Sequence, residues 1–242
     1  MGNKAIQKNK ERRVVKYGGS LLINSDGSLN TSRIKKLVDV LVKLKKDSSH
    51  LVVVIGGGNI ARSFISTANQ LEVNQTKCDV LGIQASRLNA QLVAFATGPA
   101  ANPVIPTSIQ GALETTTLNP HLITFIGGIS PGQSTDAVAA LIAEGLSANL
   151  IRATDVDGIY SKDPELHKNA VLLPEINISE LLHLIQESKH EAGGYALFDL
   201  VATKVLARSQ ISTTFLNGNK PENLLKLTQG KKIGTTITYK IK

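Results

Sequence analysis

With 242 residues, 42% of them hydrophobic and 19% charged, the chain is long enough to bury a full core and too apolar for extended disorder. A single cysteine, Cys78, excludes an internal disulfide and a cysteine-cluster zinc site, and apolar runs such as Leu51 to Ile55 and Ala137 to Ala143 fall far short of the ~18 residues of a membrane-spanning helix. The net charge is +8, half of it in the first thirteen residues, MGNKAIQKNKERR, while aromatic residues make up only 4% and Trp is absent, which argues against a stacking platform for single-stranded nucleic acid.

The charged start has no apolar signal core behind it, so a soluble, cytoplasmic protein is expected. Residues 1–12 read as a basic tail, either a solvated arm or a contact for nucleic acid or acidic metabolites, and residues 13–242 as one domain. Arg13 to Tyr17 then has the composition of a strand. Thr31 to Lys46 carries Ile34, Leu37, Val38 and Leu41 at helical spacing. Leu51 to Ile55 reads as a buried parallel strand, with a helix from about Ile60 and a long one from about Cys78 to Thr97. Further strands are expected at Pro103 to Pro106, Leu122 to Ile126, Leu150 to Ala153 and Thr213 to Leu216. Helices are expected at Thr135 to Leu146, Ser179 to Glu187, Asp199 to Ser209 and Pro221 to Thr228. Such alternation implies an α/β fold, a three-layer αβα sandwich with a mostly parallel central sheet.

Three glycine-rich loops each follow an apolar strand: KYGGS at Lys16 to Ser20, GGGNIAR at Gly56 to Arg62 and GGISPGQSTD at Gly127 to Asp136. Glycine permits close backbone approach to a ligand, and successive N–H groups at a helix start seat anions. Three such loops at the carboxyl ends of one parallel sheet, with DVDGIYSKDP at Asp155 to Pro164, point to two phosphate-bearing ligands held face to face. A Walker-type loop is absent, and the GxGxxA spacing of Gly56, Gly58 and Ala61 lacks the acid that a dinucleotide site wants at the end of a second strand. The five histidines show no metal-binding pairs.

In order and spacing, KYGGS, GGGNIAR, PGQSTDAVAAL, ATDVDGIYSKDP and NGNKPENLLKLTQGKKIGTTI resemble the amino-acid-kinase superfamily from about Val14 to the C-terminus. Within it, DVLGIQASRLNAQLV at Asp79 to Val93 and AGGYALFDLVATKVLARS at Ala192 to Ser209 are most similar to UMP kinases (uridylate kinases) of the archaeal type. The resemblance implies transfer of the ATP γ-phosphate to UMP, with Mg²⁺ arriving on ATP. It also implies a UMP-binding part to about Asn149, an ATP-binding part beyond it, and a homohexamer. Apolar stripes at Leu37 to Leu44 and Leu88 to Phe95 are candidates for its contacts.

By the same resemblance Lys16 contacts the transferred phosphoryl group, Gly18, Gly19 and Ser20 cradle the ATP phosphates, and Gly57 and Gly58 lie under the UMP and ATP phosphates. Arg62 grips phosphate, and Asp79 accepts from the UMP ribose hydroxyls or serves only as a helix cap. Ile129, Ser130, Pro131, Gly132, Gln133, Ser134 and Thr135 wrap UMP, and Thr154, Asp155, Tyr160 and Asp163 surround ATP. Asp136 is left as a residue favouring the positive end of its helix, and Lys204 is left out because Asp199 falls near the place of a second family lysine. The Gly- and His-containing stretch between Glu187 and Tyr195 reads as a loop. A sister kinase acting on an amino acid, carbamate or isopentenyl phosphate, a molybdenum-storage-like protein, and a basic nucleic-acid-binding regulator remain the other readings.

Overall fold

A computed structural model describes residues 10–188 and 198–239; most of the basic tail and of the loop between Glu187 and Tyr195 lies outside them. Its sheet contains β1 (Glu11–Tyr17), β2 (Ser48–Ile55), β3 (Ile123–Ile126), β4 (Asn149–Thr154), β5 (Glu175–Asn177), β6 (Thr213–Asn217) and β7 (Thr235–Thr238). The spatial order is β3-β2-β1-β4-β6-β7-β5. The first five in that order run parallel; β7 pairs antiparallel to β6, and β5 runs with β7.

Alternation along the central strands sorts the core into two layers, because successive side chains of a strand point to opposite faces. Val14, Val52 and Val54 join one cluster with α5 (Thr135–Leu146), α6 (Ile178–Ser188) and α7 (Leu200–Ser209). Val15, Tyr17, Val53 and Ile55 join the other, with α1 (Thr31–Lys46), α3 (Gln75–Thr97) and α8 (Asn223–Thr228). A strand buried on both faces is apolar at every position, which is why Leu51 to Ile55 shows no polar alternation. Two further helices complete the layers: α4 (Ile109–Leu118) lies against α5, and α2 (Gly58–Gln70) against α3.

Local chemistry sets the helix starts. Side-chain oxygens of Asn30, Asn74, Ser108, Ser134 and Asp199 accept from backbone N–H groups three residues on, satisfying donors that a first helical turn leaves open. Asp199 is thereby a helix cap.

Four features depart from the sequence reading. Pro103 to Pro106 is not a strand: proline lacks the N–H a ladder needs, and the pairing is made upstream, where Ala101 bridges Ile123 and the Asn102 N–H donates to the Ile123 carbonyl at 2.8 Å. The Thr- and Gly-bearing α4 and the short β5 and β7 were not anticipated, since none has a run long enough to establish a period. The strand β1 begins at Glu11, so Glu11 and Arg12 belong to the sheet, and the Arg12 guanidinium donates to the Leu146 carbonyl. Finally, Leu37, Leu41 and Leu44 are fully buried against the sheet, so the Leu37 to Leu44 stripe is ordinary core.

Parallel strands place the loops after β1, β2, β3 and β4 on one sheet edge, and glycine lets the first two touch through their backbones. A Cβ on Gly19 would stand 2.2 Å from the Gly56 carbonyl oxygen, and one on Gly58, whose φ is +61°, would stand 2.3 Å from the Gly19 carbonyl carbon. Gly58→Ala is therefore expected to cost more than about 1 kcal/mol, from strain and backbone collision together. Urea unfolding would show a lowered midpoint, and an unchanged one would contradict the packing.

Candidate active site

The charged centre lies where β1, β4 and α5 meet. Lys16, Arg152 and Phe215 are paired in register across β1, β4 and β6, so their side chains leave the same face of the sheet in a row. Above them the first turn of α5 brings Asp136 down. The Lys16 ammonium lies 3.3 Å from one Asp136 oxygen and the Arg152 Nε 2.9 Å from the other. These side chains are only 10–12% exposed. Two cations share one carboxylate, which leaves the cluster one positive charge in excess.

Burial pushes the Lys16 ammonium below the ordinary lysine value of 10.5; Asp136 opposes that shift and Arg152 adds to it. For Asp136 burial alone would raise the carboxyl, but Arg152 and Lys16 outweigh it and hold the group below its ordinary range. Asp136, which the sequence reading left at the helix end, is thus the direct partner of Lys16. No local motif marks it: the pairing appears only when α5 is laid over β1.

The N-terminal half of the site is held by one face of α3. Asn89 donates to the carbonyls of Gly56 and Gly57 at 2.9 and 3.2 Å. Ser86 accepts the Gly128 N–H at 2.6 Å, and Arg87 Nε donates to the Gly128 carbonyl at 2.9 Å. A buried polar group is costly unless bonded, so Asn89 and Ser86, 2% and 1% exposed, fix the loops after β2 and β3 with their remaining bonds. These positioning residues were missed, although a polar Ser, Arg and Asn inside the apolar period of a helix was the available signal.

The expected UMP residues fall along one rim. Asp79 accepts the Gly132 N–H at 2.8 Å, which joins the first turns of α3 to the Ile129–Thr135 loop. Within that loop Gly132 has φ +75°, the Gln133 N–H donates to the Ser130 carbonyl, and Pro131 is exposed at its tip. Ser134 caps α5, and the Thr135 hydroxyl lies beside Gly56. Gly57 and Gly58 start α2. Arg62 stands on the outer side of α2, where its guanidinium donates to Asn59 and lines a shallow cavity of about 600 Å³ with Ile65, Ser66 and Asn69. It is not drawn into the Lys16 cluster.

The expected ATP residues are less tightly grouped. Gly18 gives its N–H to the Ala153 carbonyl at 3.2 Å, which anchors the β1 loop to β4, while Gly19 and Ser20 open a short 3₁₀ turn. Thr154 donates to Asp155 at 3.0 Å, and Asn219 donates to the Asp155 carbonyl. Tyr160 bridges to Leu172, and the Asp163 carboxylate accepts the Glu165 N–H within its own turn. Beside them, at the end of β6, lies a cavity of about 800 Å³ bounded by Asp157, Leu172, Leu216, Asn217, Leu227 and Lys231. None of Thr154, Asp155, Tyr160 and Asp163 bounds it. Most of its walls come from NGNKPENLLKLTQGKKIGTT, a segment conspicuous in the sequence but without a predicted site residue.

A lysine that must be protonated to act sets an upper pH limit on turnover. Because burial lowers Lys16, the alkaline limb of the kcat–pH profile is expected below pH 10.5, while the depressed Asp136 leaves the neutral range flat. A limb at or above 10.5 would show that Lys16 is not the titrating group.

Comparison with known proteins follows the same geometry. The family model described as the amino acid kinase family matches residues 11–217. A uridylate kinase of Methanothermobacter thermautotrophicus is 40% identical over 227 residues, covering 93% of this chain and 98% of that protein. One from Hyperthermus butylicus is 41% identical over 206 residues, covering 85% and 90%. The crystal structure of uridylate kinase from Archaeoglobus fulgidus superposes with a TM-score of 0.82 at 35% identity, over 94% of this chain and 100% of the other. A central sheet whose glycine loops converge on a buried Lys16–Asp136 pair, matched over nearly the whole chain, makes this protein a member of the amino acid kinase family.

Proposed function

We propose that this chain transfers the γ-phosphoryl group of ATP to UMP, giving ADP and UDP. The observation that carries the reading is the cluster with one surplus positive charge at the sheet edge where the glycine loops gather, with a cavity of about 800 Å³ at the end of β6 on the C-terminal side. The phosphate of UMP is already anionic at neutral pH and needs no base to attack phosphorus. The protein's task is to hold two polyanions in line and to neutralise charge as it moves.

In this reading UMP occupies the part of the chain to about Asn149, against Asp79, Gly57 and the Ile129–Thr135 loop, with Arg62 turning inward onto phosphate. ATP occupies the part from about residue 150, its nucleoside in the cavity beside β6 and its phosphates directed past Thr154 and Asp155 toward Lys16, Gly19, Ser20 and Gly58. Tyr160 and Asp163 then shape the loop behind the nucleotide. Mg²⁺ enters as the ion that ATP brings, keeping several waters, so the protein need not supply a full ligand set of its own. The high similarity to uridylate kinases supports UMP over an amino acid, carbamate or storage role.

Assembly belongs to the same proposal. Leu88 and Phe95 on α3, 60% and 71% exposed, and Phe64 on α2 with Leu71 at its C-cap, 57% and 72% exposed, recur every seven residues. Exposed apolar rows on two helices that pack together are suited to a closed symmetric contact, and we place the contacts of a hexamer there.

Three measurements test the reading. A coupled ADP-release assay across UMP, CMP, AMP and small acids is expected to give the highest kcat/KM with UMP; binding of UMP without ADP release would defeat it. Lys16→Ala is expected to lower kcat by roughly 10²-fold with little change in the Kd for UMP, because the ammonium acts on charge in transfer. A tighter effect on Kd than on kcat would mean that the phosphates lie elsewhere. Light scattering is expected to give a mass several times 25.8 kDa, reduced by Leu88→Lys with Phe95→Lys, and a monomer mass for the unaltered chain would remove the assembly from the proposal.

A further inference from the structure

Arg152 is accounted for by neither the glycine loops nor the nucleotide cavity. Its side chain is 12% exposed and sits between two rings, its guanidinium carbon 5.4 Å from the Phe198 centroid and 5.3 Å from that of Phe215. The rings meet edge to face at 5.0 Å, so they form a fixed corner and not a pair of loose neighbours. The remaining contact is the Nε hydrogen bond to Asp136 at 2.9 Å. A cation stacked on aromatic faces and bonded to one carboxylate has little freedom to turn.

Asp136 alone does not define where Lys16 points. A carboxylate at the start of a helix can rotate, and a lysine has four flexible bonds. With Arg152 holding one oxygen, the other is left as a single fixed acceptor for the Lys16 ammonium. The three groups come from three elements, so the arrangement exists only in the folded sheet. The geometry points to Arg152 as a positioning residue for phosphoryl transfer: locked by Phe198 and Phe215, it fixes the Asp136 carboxylate and through it aims Lys16 at the transferring group. This inference rests on the UMP kinase reading.

The charged groups facing Lys16 are Asp136 from α5, Arg152 from β4 and Asp155 from the loop after β4. Arg152 opposes protonation of Lys16 and favours ionisation of Asp136. Its removal therefore moves both upward, the lysine because a like charge is gone and the carboxyl because its principal counter-charge is gone.

The test compares the unaltered enzyme with Arg152→Met, Arg152→Lys and Phe198→Leu. For Arg152→Met, kcat is expected to fall by about tenfold or more while KM for UMP and for ATP stays within about twofold, the pattern of an interaction expressed in the transition state. Both limbs of its kcat–pH profile move to higher pH, a shift that loss of packing alone does not produce. Arg152→Lys keeps the charge and the limbs but loses the planar, stacked fork, so its kcat is intermediate. Phe198→Leu frees the guanidinium on one side and lowers kcat without moving the limbs. If Arg152→Met does not fold, the other two variants still decide the matter. A kcat near that of the unaltered chain in both overturns the inference, as does a loss in Arg152→Met with unmoved limbs. Absence of UDP from the unaltered chain overturns the UMP kinase reading and this inference together, whereas UDP formation with unaffected variants overturns this inference alone.

Discussion

The contact on which the site depends is backbone against backbone, between the loops that follow the neighbouring strands β1 and β2. Adjacent parallel strands lie ~4.8 Å apart, and turns leaving them at the same edge normally diverge to make room for side chains. Here Gly19 and Gly58 remove that need, and the turns interlock closely enough that even a methyl group on either would meet main-chain atoms. Two glycine-rich loops are thereby brought within the span of adjacent strands. Asn89 secures the second of them by bonding the Gly56 and Gly57 carbonyls, and Ser86 does the same for the loop after β3 through the Gly128 N–H.

A second constraint is electrostatic. Placing two cations and one carboxylate at the edge of a core carries a desolvation cost that stability alone does not justify, since a buried ion pair is often no better than packed hydrocarbon. The surplus positive charge has a clear use when a ligand brings phosphate into the same space. In the low-polarity surroundings of a sheet edge a fixed ammonium acts on a phosphoryl oxygen more strongly than it would in water, and no water has to reorganise as charge moves.

The parallel sheet was legible because buried strands and amphipathic helices carry clear patterns: Thr135 to Leu146 matches α5 to the residue, and Leu51 to Ile55 marks the apolar part of β2, whose polar start at Ser48 lies three residues earlier. The edge was not. β5 and β7 contain three and four residues, and α4 has a threonine-rich sequence in which Thr116 and Thr117 bond back to carbonyls of their own helix. Around the charged cluster, the glycines stood out in the sequence as local runs, with Lys16 directly before one of them. Asp136 and Arg152 did not, because they stand 16 residues apart in the chain and meet only through the packing of α5 on β4. The exposed rows on α2 and α3 show the same limit from the other side: periodicity marks an apolar face, but Leu37 lies in the core and Leu88 in solvent.

The position of β1 also shapes how the chain is made. It is the first described strand in sequence and the middle one of the five parallel strands in space, paired on one side with β2 and on the other with β4, which begins only at Asn149. After β2 has emerged from a ribosome, nearly 100 further residues must follow before β1 finds its second neighbour. At roughly 5–20 residues per second this leaves one edge of an apolar strand open for about 5–20 s. During that interval Val14 and Val15 sit on a ready template for another chain. A strand paired on both edges in the finished protein thus stands open along one of them during its synthesis.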